Sequence, residues 1–422
     1  MHRQEVDLIV AHAAEIATPT GRDLHPAFGP QQCNITVIHD GAIAIRNGII
    51  VKIGKTREIL SAYRSKHVID ASDKTMLPGL VDPPTHHLCR LQRHRIRDET
   101  QREILHGNPR RRRRNPKHGQ RDKKDRKAPA FRNLSQESAI IAAARTTTIE
   151  AKSGYGLTTA EEIKCLQVAR ALDKAGPFDV VPTFLGAHAI PEEYEKRADE
   201  YVDLVVEEMI PEVAEKKLAR FCDVFCEKGA FTIEQSRRIL KAAQRLELKP
   251  KIHADEFFDT GGAALAAEIG AVSADHLLCP SDTGLKEMAN KGTVAVLLPA
   301  ALLTLMTNKH ANARKIIEYG VPVAIGTDLS PSCMLESPQM SVALACHLLR
   351  MTPAEAIVAA TINAAHAIGE ASSVGSLEPG KKSDIAILDT PNHRFLGYKF
   401  GVNLVESVIK DGEVVVQDHR LS

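Results

Sequence analysis

Residues 248–278 read LKPKIHADEFFDTGGAALAAEIGAVSADHLL, and within them two apolar, β-prone runs, Leu248–Phe257 and Ala271–Leu278, pass directly into histidines and carboxylates. The first carries His253-Ala254-Asp255-Glu256 and the second Ala274-Asp275-His276. Similar apolar runs cover Met76–His87, Thr146–Tyr155, Phe178–Ile190, Phe221–Phe231, Gly292–Leu302 and Val321–Ser332, so eight strands are predicted. Amphipathic stretches fill the intervals, among them Thr158–Gly176 with its TTAEE start signal, Pro191–Ala219, Ile233–Glu247 and Lys309–Gly320. Eight strands alternating with crossover helices over roughly 250–300 residues predict an α/β fold, a (β/α)8 TIM-like barrel. The alternation alone also fits a doubly wound sheet.

The two ends read differently. ITVIHDGAIAIRNGIIVKIG before the barrel and KKSDIAILDTPNHRF with VESVIKDGEVVVQ after it are short strands broken by Gly, Asp and Pro turns. They predict one small β-sandwich built from 1–75 and 371–422 beside a barrel over 76–370, with the helical run Ser341–Gly369 leading from barrel to tail.

The chain has 422 residues, 43% hydrophobic and 26% charged, which fits a globular protein with a large core and excludes a linker or a mini-protein. No apolar run approaches the roughly 20 residues that cross a bilayer, and MHRQEVDLIVAHAAEI lacks the zones of a signal peptide, so a cytoplasmic protein without membrane contact is expected. Eight cysteines without a C-x-x-C pair read as reduced thiols. Trp is absent and aromatics make up 4%, too few for a nucleic-acid stacking platform.

Charge is distributed unevenly. Arg90 to Arg132 holds 13 Arg and 4 Lys against 5 acids, a local balance of +12, whereas the rest of the chain stands at −10. The basic segment is foreign in style to an otherwise acidic, enzyme-like body.

Functional residues of a barrel belong at the carboxyl ends of its strands. Polar residues collect there: Asp82-Pro83-Pro84-Thr85-His86-His87, Lys152-Ser153-Gly154-Tyr155-Gly156, Gly186-Ala187-His188, the two clusters quoted above, and Gly326-Thr327-Asp328. Histidine nitrogen together with carboxylate oxygen suits zinc or another first-row metal, which predicts a mononuclear hydrolase. Against this stands the reading in which each histidine only hydrogen-bonds strand-end backbone.

LPGLVDPPTH, HADE, ADH, GTD and the tail GSLEPGKKSDIAILD resemble the amidohydrolase superfamily. KSGYGL, LGAHAIP and INAAHAIG narrow the resemblance to the imidazolonepropionase family of histidine breakdown, over nearly the whole chain outside the basic segment. The resemblance implies a barrel with a terminal β-sandwich, one divalent or trivalent metal ion (zinc or iron) and a homodimer. The implied reaction opens the ring of 4-imidazolone-5-propanoate to N-formimidoyl-L-glutamate. Carried over, it makes His86 and His253 metal ligands, and Asp328 a ligand and the base toward water. His276 would stabilise the carbonyl oxygen, Glu256 would serve a proton at the ring nitrogen, and Tyr155 and His188 would position the substrate. Arg93 and Ser330 fall where the substrate carboxylate would be held.

The sequence also departs from the family. Its strand-1 motif is His-x-His, but the first position here is Pro84, which cannot ligate, and His87 points to the opposite face from His86. As written the site is one ligand short, which leaves open whether this chain hydrolyses anything. Ser330 and Ser332 stand where the family has Asn and Gly. The basic segment replaces a glycine-containing loop. With permitted codons, Cys89–Glu99 shifted by one base reads Ala-Gly-Ser-Arg-Gly-Ile-Glu-Phe-Glu-Met, and His106–Pro116 becomes Met-Glu-Ile-Leu-Glu-Gly-Gly-Gly-Gly-Ile, both family-like. Roughly 87–145 therefore reads as a compensated frameshift; taken as real protein, Arg110–Arg114 reads as a solvated insertion. Two alternatives remain: another mononuclear amidohydrolase, such as a deaminase of a heterocyclic ring, or an inactive barrel binding polyanions through its Arg run. Nucleic acid is not the expected partner, and a steep salt dependence would identify it.

Overall fold

The computed structural model describes residues 3–85, 146–306 and 309–421. The barrel strands are β1 (Leu80–Thr85), β2 (Thr146–Lys152), β3 (Asp179–Ala187), β4 (Phe221–Cys226), β5 (Ile252–Ala254), β6 (Ser273–His276), β7 (Val294–Leu297) and β8 (Val323–Ile325). They pair in parallel in chain order, which overturns the doubly wound alternative, whose order reverses at a switch point. Just past β8 the chain is tied to β1: the Thr327 backbone amide and hydroxyl both donate to the Asp82 carboxylate, at 2.8 and 2.6 Å. Such strands are buried on both faces, and every residue of TTTIEAK in β2 is buried.

Strand register sets the rows of the interior. His253 lies opposite Phe225 on one side and Asp275 on the other, and Lys152 lies opposite Thr183. The expected helices also form, with local causes. Thr159–Ala175 is capped by Thr158, and Ile233–Arg245 opens on a Thr232/Gln235 capping box. Pro191–Ala219 is not one helix. It divides into Ala198–Leu204, a wide π turn over Val205–Met209 and Ile210–Glu215, because Pro211 offers no amide to a regular ladder.

The expected strand Met76–His87 is in fact two. Thr75–Pro78 pairs antiparallel with Ile385–Leu388, outside the barrel, and β1 starts only at Leu80. The break falls at Gly79, whose amide donates to the Asp384 carbonyl at 2.8 Å and where a Cβ would stand 2.2 Å from Thr147 Oγ1. Only glycine fits this crossing from one sheet to the other. The second sheet is nine-stranded and draws on both ends of the chain: Leu8–Thr18, Thr36–Arg46, Ile49–Lys55, His67–Asp70 and Thr75–Pro78 share it with Ile385–Leu388, Val405–Lys410, Glu413–Gln417 and Arg420–Leu421. The fold is thus a TIM-like barrel beside a β-structure formed from both termini.

Among the described residues no helix is long and apolar enough to cross a membrane. Cys165 is disulfide-bonded, contrary to the expectation of reduced thiols throughout, whereas Cys33, Cys222, Cys226, Cys279, Cys333 and Cys346 are free.

Candidate active site

The loop after β2 is the first wall of the site. Glu162, buried in the following helix, accepts from the amides of Gly154 (2.8 Å), Gly156 (2.7 Å) and Leu157 (2.9 Å). Its carboxylate takes three donors that would otherwise be orphaned, and it fixes the loop that carries Tyr155. Gly154 has φ +116°, and a Cβ there would meet Leu185 O at 2.9 Å. Tyr155 packs on His188 with ring centroids 4.9 Å apart, and His188 lies 6.3 Å from His253, whose ring is 5.3 Å from that of His276. Four residues distant in sequence thus line one wall at the carboxyl ends of β2, β3, β5 and β6.

Behind His253 the interior is charged, not apolar. Lys152 Nζ bonds to Asp223 and lies 2.8 Å from Asp275 and 3.5 Å from Glu150. Lys251 Nζ reaches Glu150 at 2.6 Å, and Glu150 also accepts from Thr183 Oγ1 at 2.5 Å. His253 Nδ1 sits 3.1 Å from Asp223 and 4.0 Å from Asp275. All these groups are buried. Burial alone would raise Asp223, but His253 and Lys152 overcome it and hold that carboxyl well below its usual range. Burial likewise works against a charged His253, yet Asp223 raises it.

Asp223, His253 and Asp275 offer ligand atoms within 4.8 Å of one another. The Lys152 ammonium, however, is bonded to both carboxylates and stands where a cation would. This triad is an ion-pair network already neutralised. Asp328 at the end of β8 is different: it is buried, no described group donates to its carboxylate, and burial pushes it up to about 7. A buried carboxylate with no donor among the described residues, under the influence of a histidine, is the chemistry of a cation site. Asp328 lies close enough to His253 to feel its charge, and an imidazole nitrogen with a carboxylate oxygen are donor types that suit a divalent metal ion.

The remaining expected residues lie as follows. His276 Nδ1 is 3.5 Å from Glu256 Oε1, both side chains being nearly enclosed. Burial, then the charge of His253, pushes His276 and His188 down to about 3, so both imidazoles are neutral. His276 and Asp328 adopt φ of +75° and +56°, strained backbone of the kind found at functional sites. Ser330 is buried with its hydroxyl engaged in a turn, 3.0 Å from Ser332 Oγ and accepting from the Cys333 amide at 3.1 Å. His86 and Arg93, like the 87–145 reading, lie outside the described residues, and of Pro84 only its place in β1 is described. In the HADE cluster, Asp255 plays a structural part. It accepts from the amides of Thr260, Gly262 and Ala263, each at 2.9 Å, and so starts the next helix. Sequence reading missed Glu162 as the loop's anchor and, although Lys152 and Asp275 stood in the strand-end clusters, missed that they join Glu150, Asp223 and Lys251 in one buried charged network. The alternation Glu150-x-Lys152 and Lys251-x-His253 was the signal that could have found it, since residues two apart on a strand share a face.

An eight-stranded parallel barrel with a terminal β-structure, whose strand ends present histidines and a buried aspartate without a described donor, defines a metal-dependent hydrolase of the amidohydrolase class. The amidohydrolase family model matches residues 75–415. Imidazolonepropionases of Brevibacillus brevis and Geobacillus kaustophilus are 46% and 44% identical to this chain, over 98% of it and 99% of each relative. Among solved structures, a zinc-bound adenosine deaminase from Xanthomonas campestris superposes with a TM-score of 0.72 at 18% identity, over 100% of this chain and 95% of that one. A triazine hydrolase variant reaches 0.72 at 15%, over 98% and 95%; these two likenesses concern the fold alone. The chain belongs to the imidazolonepropionase family of the amidohydrolases.

Proposed function

We propose that this chain opens the ring of 4-imidazolone-5-propanoate with water to give N-formimidoyl-L-glutamate, a step of histidine degradation in the cytoplasm. The observation that carries the reading is the continuous wall Tyr155, His188, His253 and His276, in which residues of the family-like motifs meet at one barrel mouth. In this reading His253 and Asp328, with His86, hold one zinc or iron ion. When bound, the ion supplies a Lewis acid that brings the pKa of water toward about 7. Asp328 takes the proton from the attacking water. His276, held neutral, directs an N–H at the carbonyl oxygen as negative charge develops there. Glu256, 3.5 Å from His276, holds or passes a proton at the ring nitrogen that departs. Tyr155 and His188, packed on each other, position the substrate ring, and Arg93 and Ser330 meet the propanoate carboxylate, Ser330 only by releasing its turn.

The test is to incubate the purified chain with the imidazolone in ¹⁸O-water and follow products by mass. One ¹⁸O in N-formimidoyl-L-glutamate is expected, and Asp328→Asn should lower the rate by about 10²–10⁴-fold. No turnover by the wild type, or undiminished turnover by D328N or after complete metal removal, would overturn the reading.

A further inference from the structure

The interior of a (β/α)8 barrel is ordinarily filled with layers of branched apolar side chains. Here one layer, contributed by β2, β4, β6 and the approach to β5, carries two lysines and three carboxylates, all buried. A buried charge network is often no more stable than apolar packing of the same volume, so its presence calls for a reason beyond stability. Its location supplies one: the network abuts His253, with Asp275 in register beside it and Asp223 3.1 Å from His253 Nδ1.

We propose that Lys152 and Asp223 act as a positioning pair for His253, fixing its ring so that Nδ1 carries the proton and Nε2 is the donor atom presented to the metal site. This rests on the reading of His253 as a ligand given above. The steps are local. Lys152 Nζ is bonded to both Asp223 and Asp275, so neither carboxylate can rotate away without abandoning a buried ammonium. Asp223 Oδ1 accepts from its neighbour's amide, Val224 N, at 2.7 Å, which leaves Oδ2 aimed at Lys152 and His253. An ionised carboxylate 3.1 Å from Nδ1 can only accept, which in the neutral imidazole favours the proton on Nδ1 and the lone pair on Nε2. Asp275, at 4.0 Å from the same nitrogen and bonded to Ser273 Oγ at 3.1 Å, braces Lys152 from the far side. Lys251 and Glu150 close the layer from below. Lys152 and Asp223 are both buried, and in this proposal they act only through the histidine.

Asp223→Asn in the full-length protein preserves shape while removing the charge that dictates the tautomer. With folding verified by far-UV circular dichroism, the metal-stripped variant should bind zinc about 10–100-fold more weakly than wild type, in competition with a chromophoric chelator. Its kcat should fall while KM for the imidazolone stays near the wild-type value. A second measurement needs no stable variant of the network: in ¹⁵N-histidine-labelled wild type, the ring signals lost in His253→Gln should be those of an Nδ1-protonated imidazole. An Nε2-protonated His253, or wild-type zinc affinity in a folded D223N, overturns the positioning role. If wild type takes up no zinc, or D328N binds it as tightly, the metal reading itself falls and the inference with it. Zinc binding weakened in D328N but not in D223N removes the inference alone.

Discussion

Two clusters in this molecule have the same charge inventory, two lysines and three acids, and opposite relations to water. The inner one, Lys152 and Lys251 with Glu150, Asp223 and Asp275, is sealed in the barrel, with side chains no more than 1% exposed. The outer one, Lys382 and Lys410 with Asp179, Asp384 and Asp411, sits where the start of β3 meets the terminal sheet. There Lys410 and Asp384 are enclosed, but Asp179 is 32% and Asp411 49% exposed. Asp223 and Asp275 are held below the usual carboxyl range because lysine and histidine outweigh burial. Asp384 is pushed up to about 6, because burial outweighs its Lys410 partner and Asp411 adds a like charge. The same ingredients thus make a rigid bracket where solvent is excluded and a partly screened seam where it is not.

Removing one lysine from each cluster is the strongest way to break this comparison. Lys152→Met removes the one ammonium bonded to both Asp223 and Asp275, leaving Asp223 with His253 and Asp275 with His253 and Lys251, in a place water cannot reach. Loss of one member of a buried ion pair costs about 3–5 kcal/mol, a large part of the about 5–15 kcal/mol that holds a typical domain, and activity should be lost with it. Lys410→Met should cost less, about 2–3 kcal/mol, because Asp179 and Asp411 can turn outward to solvent. Its kcat/KM should stay at the wild-type value. Urea unfolding and steady-state kinetics on both variants decide the matter. Equal losses of stability, or a catalytic defect in K410M, would show the two clusters to be equivalent.

The same contrast explains what was legible in the sequence. The barrel was, because eight apolar runs recur and six of them end in a polar signature, with His253, Asp328, His276 and Glu256 at those ends. The handover at Gly79 was not, since Thr75–Pro78 and β1 are apolar alike and only the Thr147 contact demands the break. The inner layer was hidden for a related reason: strands buried on both faces lose the polar-out alternation that would tell interior from exterior. Glu150, Lys152 and Lys251 look, in isolation, like ordinary solvated charges. Asp255 stood in the strand-5 polar cluster beside Glu256 because a helix-starting carboxylate and a reacting one are the same kind of group; only the three amides at 2.9 Å separate them.

The smallest effect is a pH dependence confined to the outer cluster. Asp384 binds its proton more tightly in the folded chain, at about 6, than at the ordinary value of 3.8. Between those limits the native state holds the extra proton, so stability falls as pH rises through the window and levels off above it. The full shift is worth about 3 kcal/mol, and with Lys410 responding and water reaching Asp411 and Asp179 about 1–2 kcal/mol should be seen. Asp384→Asn removes the group that titrates. Plotted from pH 4 to 7, the unfolding free energy of wild type should therefore decline relative to that of D384N, with the steepest change near pH 5. A difference that rises with pH would mean that Lys410 dominates Asp384 as Lys152 dominates Asp223, and the exposed edge of the outer cluster would then make no difference to its chemistry.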